Sequence, residues 1–280
     1  MSSVVIDAQL VKTLRERTNA GLMECKRTLA ETNGDIEAAI DLLRKKGAAG
    51  AAKKADREAK DGVIAQAIAA GSNAGLLVEI NCETDFVAKN ESFKAFAADV
   101  AKRLLADPSA DLEADRIAAV QMLGENLRIR RHARIDAEGS GLLAAYIHTG
   151  SKLGVLVEVS VTKEATLHNE AFKQMVCDLA MQVAASNPIS VDRGSVPADI
   201  VEREREICRG QVPAGKPANI IEQIIDGKMK NFFSQSCLVD QSFVKDPDLS
   251  VSQVVEQTGK AVGDTLTVRR FLRYAVGQEE

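Results

Sequence analysis

The 280-residue sequence contains no tryptophan, and its aromatic residues amount to only 4%. Aliphatic side chains must therefore fill most of the core, since hydrophobic residues of all kinds make up 45%. No apolar run approaches the roughly eighteen residues that a membrane-spanning helix needs. The first residues, MSSVVID, lack the basic and apolar regions of a secretory signal. We expect a cytoplasmic protein without membrane association.

Patterns for metal ions and disulfides are also missing. The five cysteines lie far apart without a CxxC pair, and the three histidines form no ligand pattern with them. We expect reduced cysteines, no bound metal and no cofactor. The 36 basic and 40 acidic residues give a formal net charge of −4. Because nucleic-acid-binding domains present basic surfaces, we expect no general nucleic-acid binding.

One glycine-rich stretch nearly matches a phosphate-binding loop. Residues 210–217 are GQVPAGKP, whereas the pattern GxxxxGK[ST] ends in a hydroxyl residue. Pro217 has neither a hydroxyl nor a backbone N–H, and a charged segment precedes the stretch where an apolar strand is required. We interpret it as the tip of a helical hairpin and expect no direct nucleotide binding. GxGxxG, GxSxG and HExxH are absent, so we predict that the chain is not an enzyme.

A segment of thirty residues, 75–104, occurs twice. Residues 154–183 align with it without a gap, and ten of the thirty positions are identical. Each copy begins with an apolar run typical of a buried strand. After Asn90 or Asn169, each copy continues with apolar residues at the spacing of an amphipathic helix. We interpret the copies as an internal duplication of one strand-and-helix unit.

The two copies differ in the turn between strand and helix. Residues 84–87 are TDFV in the first copy, whereas the second copy has KEAT at 163–166. A turn that differs between otherwise similar copies is the natural place for a function of the first copy alone. Phe86 beside Asp85 suits insertion into a pocket on a partner protein. The alternative is that Phe86 covers the core of its own chain.

The N-terminal region predicts a small helical bundle. Residues 7–46 carry three helical apolar stripes, separated at 19–21 and 33–34 by glycine and asparagine. Leu22 and Met23 follow Gly21 directly, so they are either ordinary core residues or an exposed apolar contact.

Several segments outside the duplication have clear local patterns. Residues 47–62 predict a linker with a helical part, and 128–137 predict a strand whose arginines we assign to a polar sheet face rather than to RNA. Residues 199–209 and 218–233 predict the two arms of an antiparallel helical hairpin. Residues 265–276 predict a final strand that completes the sheet of the second copy.

The segment 81–89, NCETDFVAK, closely resembles the signature of bacterial elongation factor Ts, a family of guanine-nucleotide exchange factors for elongation factor Tu. The N-terminal helices resemble the ubiquitin-associated three-helix bundle of that family, and the hairpin resembles its coiled-coil insertion. The resemblance implies an α+β fold with a duplicated α/β core of two related subdomains. It implies five segments in chain order: the bundle and linker (1–55), the core N-subdomain (56–140), the first part of the core C-subdomain (141–196), the hairpin (197–237) and the second part of the core C-subdomain (238–280).

The same resemblance implies a function and a set of contacts. The chain would bind elongation factor Tu and accelerate GDP release so that GTP can bind, acting on GDP and Mg²⁺ held by the partner. Phe86 would enter a pocket near the partner's magnesium site, with Asp85 beside it, and the resemblance allows an oligomeric complex with the partner. The matching partner-binding positions are Thr84, Asp85, Phe86, Val87, Arg15, Leu22, Met23 and His148.

Two other classes of function remain as alternatives at this point. The bundle and the arginine-rich strand could belong to a ubiquitin-like or RNA-binding adaptor, which a salt-dependent RNA shift would reveal. The glycine-rich stretch at 210–216 could belong to a nucleotide-binding enzyme, which nucleotide binding without a partner would reveal.

Overall fold

The computed structural model of the protein describes residues 6–18, 20–213 and 217–278. These residues form mixed helices and small antiparallel sheets, which confirms the predicted α+β class. The helices are α1 Ala8–Thr18, α2 Leu22–Glu31, α3 Ile36–Ala52, α4 Asp85–Lys89, α5 Glu91–Ala106, α6 Glu113–Leu123, α7 Glu170–Ser186, α8 Ala198–Gly210, α9 Ala218–Ser236 and α10 Val251–Val262. The strands are β1 Asp61–Ile68, β2 Ala74–Cys82, β3 Arg128–Asp136, β4 Gly141–Ile147, β5 Leu153–Val161, β6 Ser242–Phe243, β7 Asp246–Ser250 and β8 Leu266–Ala275.

The first three helices enclose an apolar cluster of their own. Asp35 caps α3, since its Oδ1 accepts a hydrogen bond from the Ala38 N–H at 3.0 Å. The three predicted helices of the bundle are therefore confirmed. The buried members of the cluster are Val11, Leu14, Ala20, Cys25, Leu29, Ala39, Ile40 and Leu43.

The first part of the predicted linker is helical as expected, but it belongs to α3, which continues without a break through Gly47 to Ala52. Gly47 lies against α6, where an added Cβ would be 2.6 Å from Gln121 Oε1 and 3.5 Å from Ile117 Cγ2. Any side chain at this position would have to displace the end of the Gln121 side chain, so glycine suits the contact between the two helices. Packing against α6 thus outweighs the low helix propensity of glycine.

Two three-stranded antiparallel sheets form the centre of the molecule, in the orders β1-β2-β3 and β4-β5-β8. β8 completes the second sheet as predicted. β2 extends beyond the predicted end at Ile80, because Asn81 and Cys82 still pair with β1. Each middle strand has a register shift at the same place, after Glu79 in β2 and after Glu158 in β5.

The two sheets contact each other reciprocally. The Ile64 N–H donates to Ser151 O at 2.7 Å, and the Leu143 N–H donates to Ser72 O at 2.7 Å. Each donor and each acceptor is 79 positions from its counterpart in the other copy. A buried apolar cluster of Ile64, Leu77, Ile135, Leu143 and Leu156 fills the space between the sheets. The duplicated units therefore pack about an approximate twofold axis.

The helical hairpin is an insertion in the second unit. The C-cap glycines of α6 and α10 are Gly124 and Gly263, which lie 139 positions apart. The strand-and-helix segments repeat at 79 positions, so 139 − 79 = 60 extra residues lie between α7 and α10. This segment contains α8, α9 and the β6-β7 hairpin. The two arms predicted for the helical hairpin are confirmed.

Parts of three predictions fall on residues that the structure does not describe: the N-terminal residues 1–5, the helix break at Asn19 and the hairpin tip at 214–216. The division of the chain at residues 55, 140, 196 and 237 stays a prediction. In the part of the chain that the structure describes, no helix is both long and apolar enough to cross a membrane.

Candidate functional site

The turn after β2 displays Phe86 to solvent. The segment predicted as a turn between strand and helix contains the short helix α4, whose N-cap is Thr84. The side chain of Phe86 is 82% exposed, the most of any large apolar residue among those described. The alternative that Phe86 covers its own core is therefore wrong. An aromatic ring left in water on a short, fixed element is available for contact with a partner.

The neighbours of Phe86 anchor α4 or form its polar edge. Val87 is half-buried and packs against the apolar core between the first sheet and α5. Lys89 Nζ donates to Asp85 Oδ2 at 2.6 Å on the exposed side. This hydrogen bond holds the pKa of Asp85 below its ordinary value and raises the pKa of Lys89. Asp85 is thus an anion beside the exposed ring at neutral pH.

Glu125 holds the base of this turn, a role that the sequence analysis missed. Its Oε2 accepts hydrogen bonds from the N–H groups of Glu83 and Thr84 at 2.9 and 3.0 Å. Its Oε1 accepts the Thr84 hydroxyl at 2.5 Å, while that hydroxyl accepts the Val87 N–H at 3.4 Å. In return, the Asn126 N–H donates to Glu83 Oε1 at 2.6 Å. Two carboxylates therefore fix the turn and the segment after α6 to one another.

A buried thiol completes the base of the turn. Cys82 Sγ donates to Thr84 O at 3.1 Å. Burial raises the pKa of the Cys82 thiol to about 12, so the group stays protonated and can act as the donor.

The second unit contains the same arrangement without an aromatic residue. Asp264 accepts hydrogen bonds from the N–H groups of Thr162 and Lys163 at 3.2 and 3.0 Å, and from the Thr166 hydroxyl at 2.6 Å. The turn that it holds is a 3₁₀ helix over Glu164–His168, with Ala165 in the position of Phe86. A second sequence repeat could have revealed Glu125 and Asp264 as equivalent residues. The segment GENLRIRR at 124–131 resembles GDTLTVRR at 263–270, and the two carboxylates take the second position in each.

The bundle brings a second exposed apolar pair to the same end of α6. Leu22 and Met23 are 53% and 69% exposed, so the alternative that they are ordinary core residues is wrong. Beside them, Glu24 accepts a hydrogen bond from Gln121 Nε2 at 3.0 Å. Gln121 lies in the last turn of α6, and Glu125, which holds the Phe86 turn, follows two residues after the helix ends at Leu123. The end of α6 and the residues after it therefore contact both segments that carry exposed apolar side chains.

The other two predicted contact residues lie elsewhere. Arg15 is exposed on α1, in the same bundle as Leu22 and Met23. His148 is exposed after β4, and its Nδ1 is hydrogen-bonded to the Tyr146 hydroxyl at 3.0 Å. His148 thus belongs to the second unit, in the connection between β4 and β5.

The arginine-rich strand β3 uses its charges within the fold. Arg131 Nε donates to Glu79 Oε2 at 2.8 Å, Arg134 Nη1 to Leu105 O at 2.7 Å and Arg128 Nη2 to Ala55 O at 2.8 Å. These contacts agree with the predicted polar sheet face and do not favour an RNA-binding adaptor. Within the described residues, no group of three or more His, Cys, Asp or Glu side chains is arranged to hold a metal ion.

A fixed turn that displays one aromatic ring, together with an exposed apolar pair on the bundle, is typical of proteins that act by binding another protein. Comparison with known proteins identifies the family. The family model Elongation factor TS matches residues 83–278. Elongation factor Ts of Trichlorobacter lovleyi is 42% identical, over 98% of this chain and 94% of that protein. Elongation factor Ts of Clostridium perfringens is 40% identical, over 98% of this chain and 94% of that protein. The chain belongs to the elongation factor Ts family and is a translation elongation factor.

Proposed function

We propose that the chain binds elongation factor Tu and accelerates the release of GDP from it, so that GTP can bind. The observation that carries the proposal is the exposed ring of Phe86 on a turn fixed by Glu125. The chain breaks no covalent bond and needs no cofactor of its own, because GDP and Mg²⁺ belong to the partner.

Exchange of this kind is a thermodynamic coupling between two ligands of the partner. The factor must bind the nucleotide-free partner more tightly than the GDP form. By reciprocity, bound GDP weakens the binding of the factor to the partner by the same factor by which the bound exchange factor weakens the binding of GDP. Insertion of Phe86 and Asp85 near the partner's magnesium site would disturb the ion that neutralises the GDP phosphates. Loss of that neutralisation raises the rate of GDP release.

The bundle supplies a second contact in this proposal. Leu22 and Met23 present adaptable apolar side chains, and Arg15 adds a positive charge on the same bundle. These residues would hold the partner's nucleotide domain while Phe86 acts. Thr84 and Val87 shape the turn, and His148 would contact a different part of the partner.

The test is the release of a fluorescent GDP from purified elongation factor Tu, followed by stopped flow. The wild-type chain should accelerate release strongly, and Phe86→Ala should lose about 30-fold or more of that acceleration, as expected for truncation of a hot-spot aromatic worth about 2 kcal/mol. Ile207→Ala is the matched control, since Ile207 is also exposed, at 44%, but lies on the hairpin. If the wild-type chain does not accelerate GDP release, the proposal is overturned. If Phe86→Ala accelerates release as much as the wild type does, a residue other than Phe86 is responsible for exchange.

A further inference from the structure

Glu125 and Asp264 occupy equivalent places in the two units. Each follows the left-handed C-cap glycine of a helix, Gly124 or Gly263, and each accepts hydrogen bonds from two successive backbone N–H groups after the middle strand. The units share this contact, yet only the first unit carries an exposed aromatic ring on the turn that the carboxylate holds.

We propose that Glu125 is a positioning residue for nucleotide exchange: it fixes α4, and through α4 the direction in which Phe86 points. This inference rests on the proposed function. Glu125 itself need not touch the partner, because its three hydrogen bonds are all made to the base of the turn.

The need for such a residue follows from the length of α4. A helix of five residues cannot hold its own shape in water, because helix nucleation costs more than one turn of hydrogen bonds returns. Val87 and Ala88 hold the inner side of α4 against the core, but Phe86 adds no anchor at its start, since its ring is in solvent. The N-terminus of α4 is fixed by the Thr84 hydroxyl, which is oriented by its hydrogen bond to Glu125 so that it can accept the Val87 N–H.

The turn before α4 and the segment after α6 each supply a carboxylate that accepts a hydrogen bond from the other. Glu83 accepts the Asn126 N–H, and the buried Asn126 side chain in turn donates to Ala55 O and Arg57 O at 3.2 and 2.8 Å. Gln121, one turn earlier on α6, donates to Glu24 of the bundle. The segment that Glu125 holds to the turn therefore follows directly on the helix that contacts the bundle.

The experiment compares Glu125→Ala with Asp264→Ala, which removes the same contact from the unit without the aromatic ring. GDP release from elongation factor Tu is measured against the concentration of each variant. Glu125→Ala should lower the maximal rate about tenfold or more, as expected when hydrogen bonds to a charged group are lost, with a smaller change in the half-saturating concentration. Asp264→Ala should keep the maximal rate, and Glu125→Gln, which retains an acceptor oxygen, should recover most of it.

A second readout does not depend on exchange. Amide hydrogen exchange of Val87 and Ala88, whose N–H groups bond to Thr84, should be faster by about ten- to a hundredfold in Glu125→Ala and unchanged in Asp264→Ala. If wild-type protein fails to release GDP, the proposed function fails while the hydrogen-exchange result still decides whether Glu125 orders α4. The inference is overturned if Glu125→Ala leaves α4 protected, if it keeps the wild-type maximal rate, or if Asp264→Ala lowers that rate equally.

Discussion

Glu79 and Glu158 are fully buried at equivalent places on the two middle strands, and each accepts a hydrogen bond from the backbone of the opposite unit. Glu79 Oε1 accepts the Gly277 N–H at 2.9 Å, and Glu158 Oε1 accepts the Glu138 N–H at 2.8 Å. Gly277 lies two residues after β8 and Glu138 two residues after β3. The buried carboxylates therefore join the ends of the two sheets.

Each carboxylate also pairs with an arginine of the last strand in its own sheet. Arg131 Nε lies 2.8 Å from Glu79 Oε2, and Arg270 Nε lies 2.6 Å from Glu158 Oε2. Both arginines then reach across, Arg131 to Ala275 O and Arg270 to Asp136 O. The symmetry of this network explains why a glutamate is found at both positions of the duplicated strand.

The first prediction concerns removal of one of these carboxylates. Glu79→Ala should lower the free energy of unfolding by about 3–5 kcal/mol, because it leaves a buried guanidinium without its partner. Glu158→Ala should cost less, since the Arg270 side chain is 42% exposed against 11% for Arg131. Urea unfolding of both variants measures the order. If both variants lose the same free energy of unfolding, the exposure of the paired arginine does not determine how much each carboxylate stabilises the fold.

The second prediction is the pH dependence of the Glu79 contribution. Burial alone raises the pKa of Glu79, but hydrogen bonds from the Gly277 N–H, Asn81 and Arg131 outweigh it and hold the pKa below its ordinary value. A carboxyl with a lowered pKa stabilises the fold above the pKa of the unfolded chain, about 4.3, and loses that stabilisation as the pH falls through the lower folded-state pKa.

Urea midpoints of the wild type and Glu79→Gln, measured from neutral pH to about pH 3, test this dependence. The difference between the two urea midpoints should be constant above about pH 5 and should become smaller at lower pH. A gap that is unchanged at the acidic end would contradict the assignment.

Sequence patterns predicted the parts of this fold that depend on local signals. Asn90 and Asn169 cap α5 and α7 as predicted, because an asparagine side chain meets N–H groups only two or three residues ahead. Glu125 was not predicted, since its partners lie 41 and 42 positions earlier in the chain. An acidic residue after a glycine resembles an ordinary surface residue until the fold brings its partners to it.

Sequence patterns likewise predicted one part of the candidate site and left another part open. The difference between TDFV and KEAT pointed to Phe86 from sequence alone, and the exposed ring agrees with that choice. The sequence left the exposure of Leu22 open, because its spacing to Cys25 and Leu29 also fits the buried face of α2. The packing of the three helices decides which apolar residues at the start of α2 remain in water.

The third prediction separates contact residues from core residues. Phe86→Ala should change the free energy of unfolding by no more than about 0.5 kcal/mol, because the ring is 82% exposed. Phe93→Ala, seven positions later on α5 of the same unit, should cost about 3–5 kcal/mol, because that ring is fully buried. Thermal and urea unfolding of the two variants give the comparison. A large loss for Phe86→Ala would mean that the ring packs on its own chain in solution.

The fourth prediction tests the contact between α3 and α6. Gly47→Leu should lower the free energy of unfolding by about 1–3 kcal/mol, because its side chain must displace Gln121 and Ile117. Gly50→Leu is the matched control in the same helix: nothing lies within 4 Å of a Cβ there, so the better helix propensity should stabilise by about 0.5–1 kcal/mol. If both variants are stabilised, the bundle does not rest on α6 as closely as the structure shows.

The fifth prediction is that the hairpin can be removed without unfolding the rest. The residues Cys208, Ile225 and Met229 are buried between α8 and α9 in a cluster separate from those of the two sheets. The base of the hairpin is closed by hydrogen bonds from Ile189 N–H to Ser236 O and from Leu238 N–H to Ser190 O, both at 2.9 Å. Deletion of residues 198–235, with a short glycine-serine linker in their place, leaves these groups in the chain.

The shortened protein should therefore unfold in one cooperative transition, with a smaller helical signal in circular dichroism and a similar midpoint temperature. Leu238→Ala in the full chain is the control, because this residue is fully buried in the cluster of the second unit and its truncation should cost about 2–5 kcal/mol. If the deletion abolishes cooperative unfolding while Leu238→Ala does not, the hairpin is part of the second unit's core. A cooperative transition in the shortened protein would instead show that the second unit closes its core at Ser190 and Leu238, as the first unit does without any insertion.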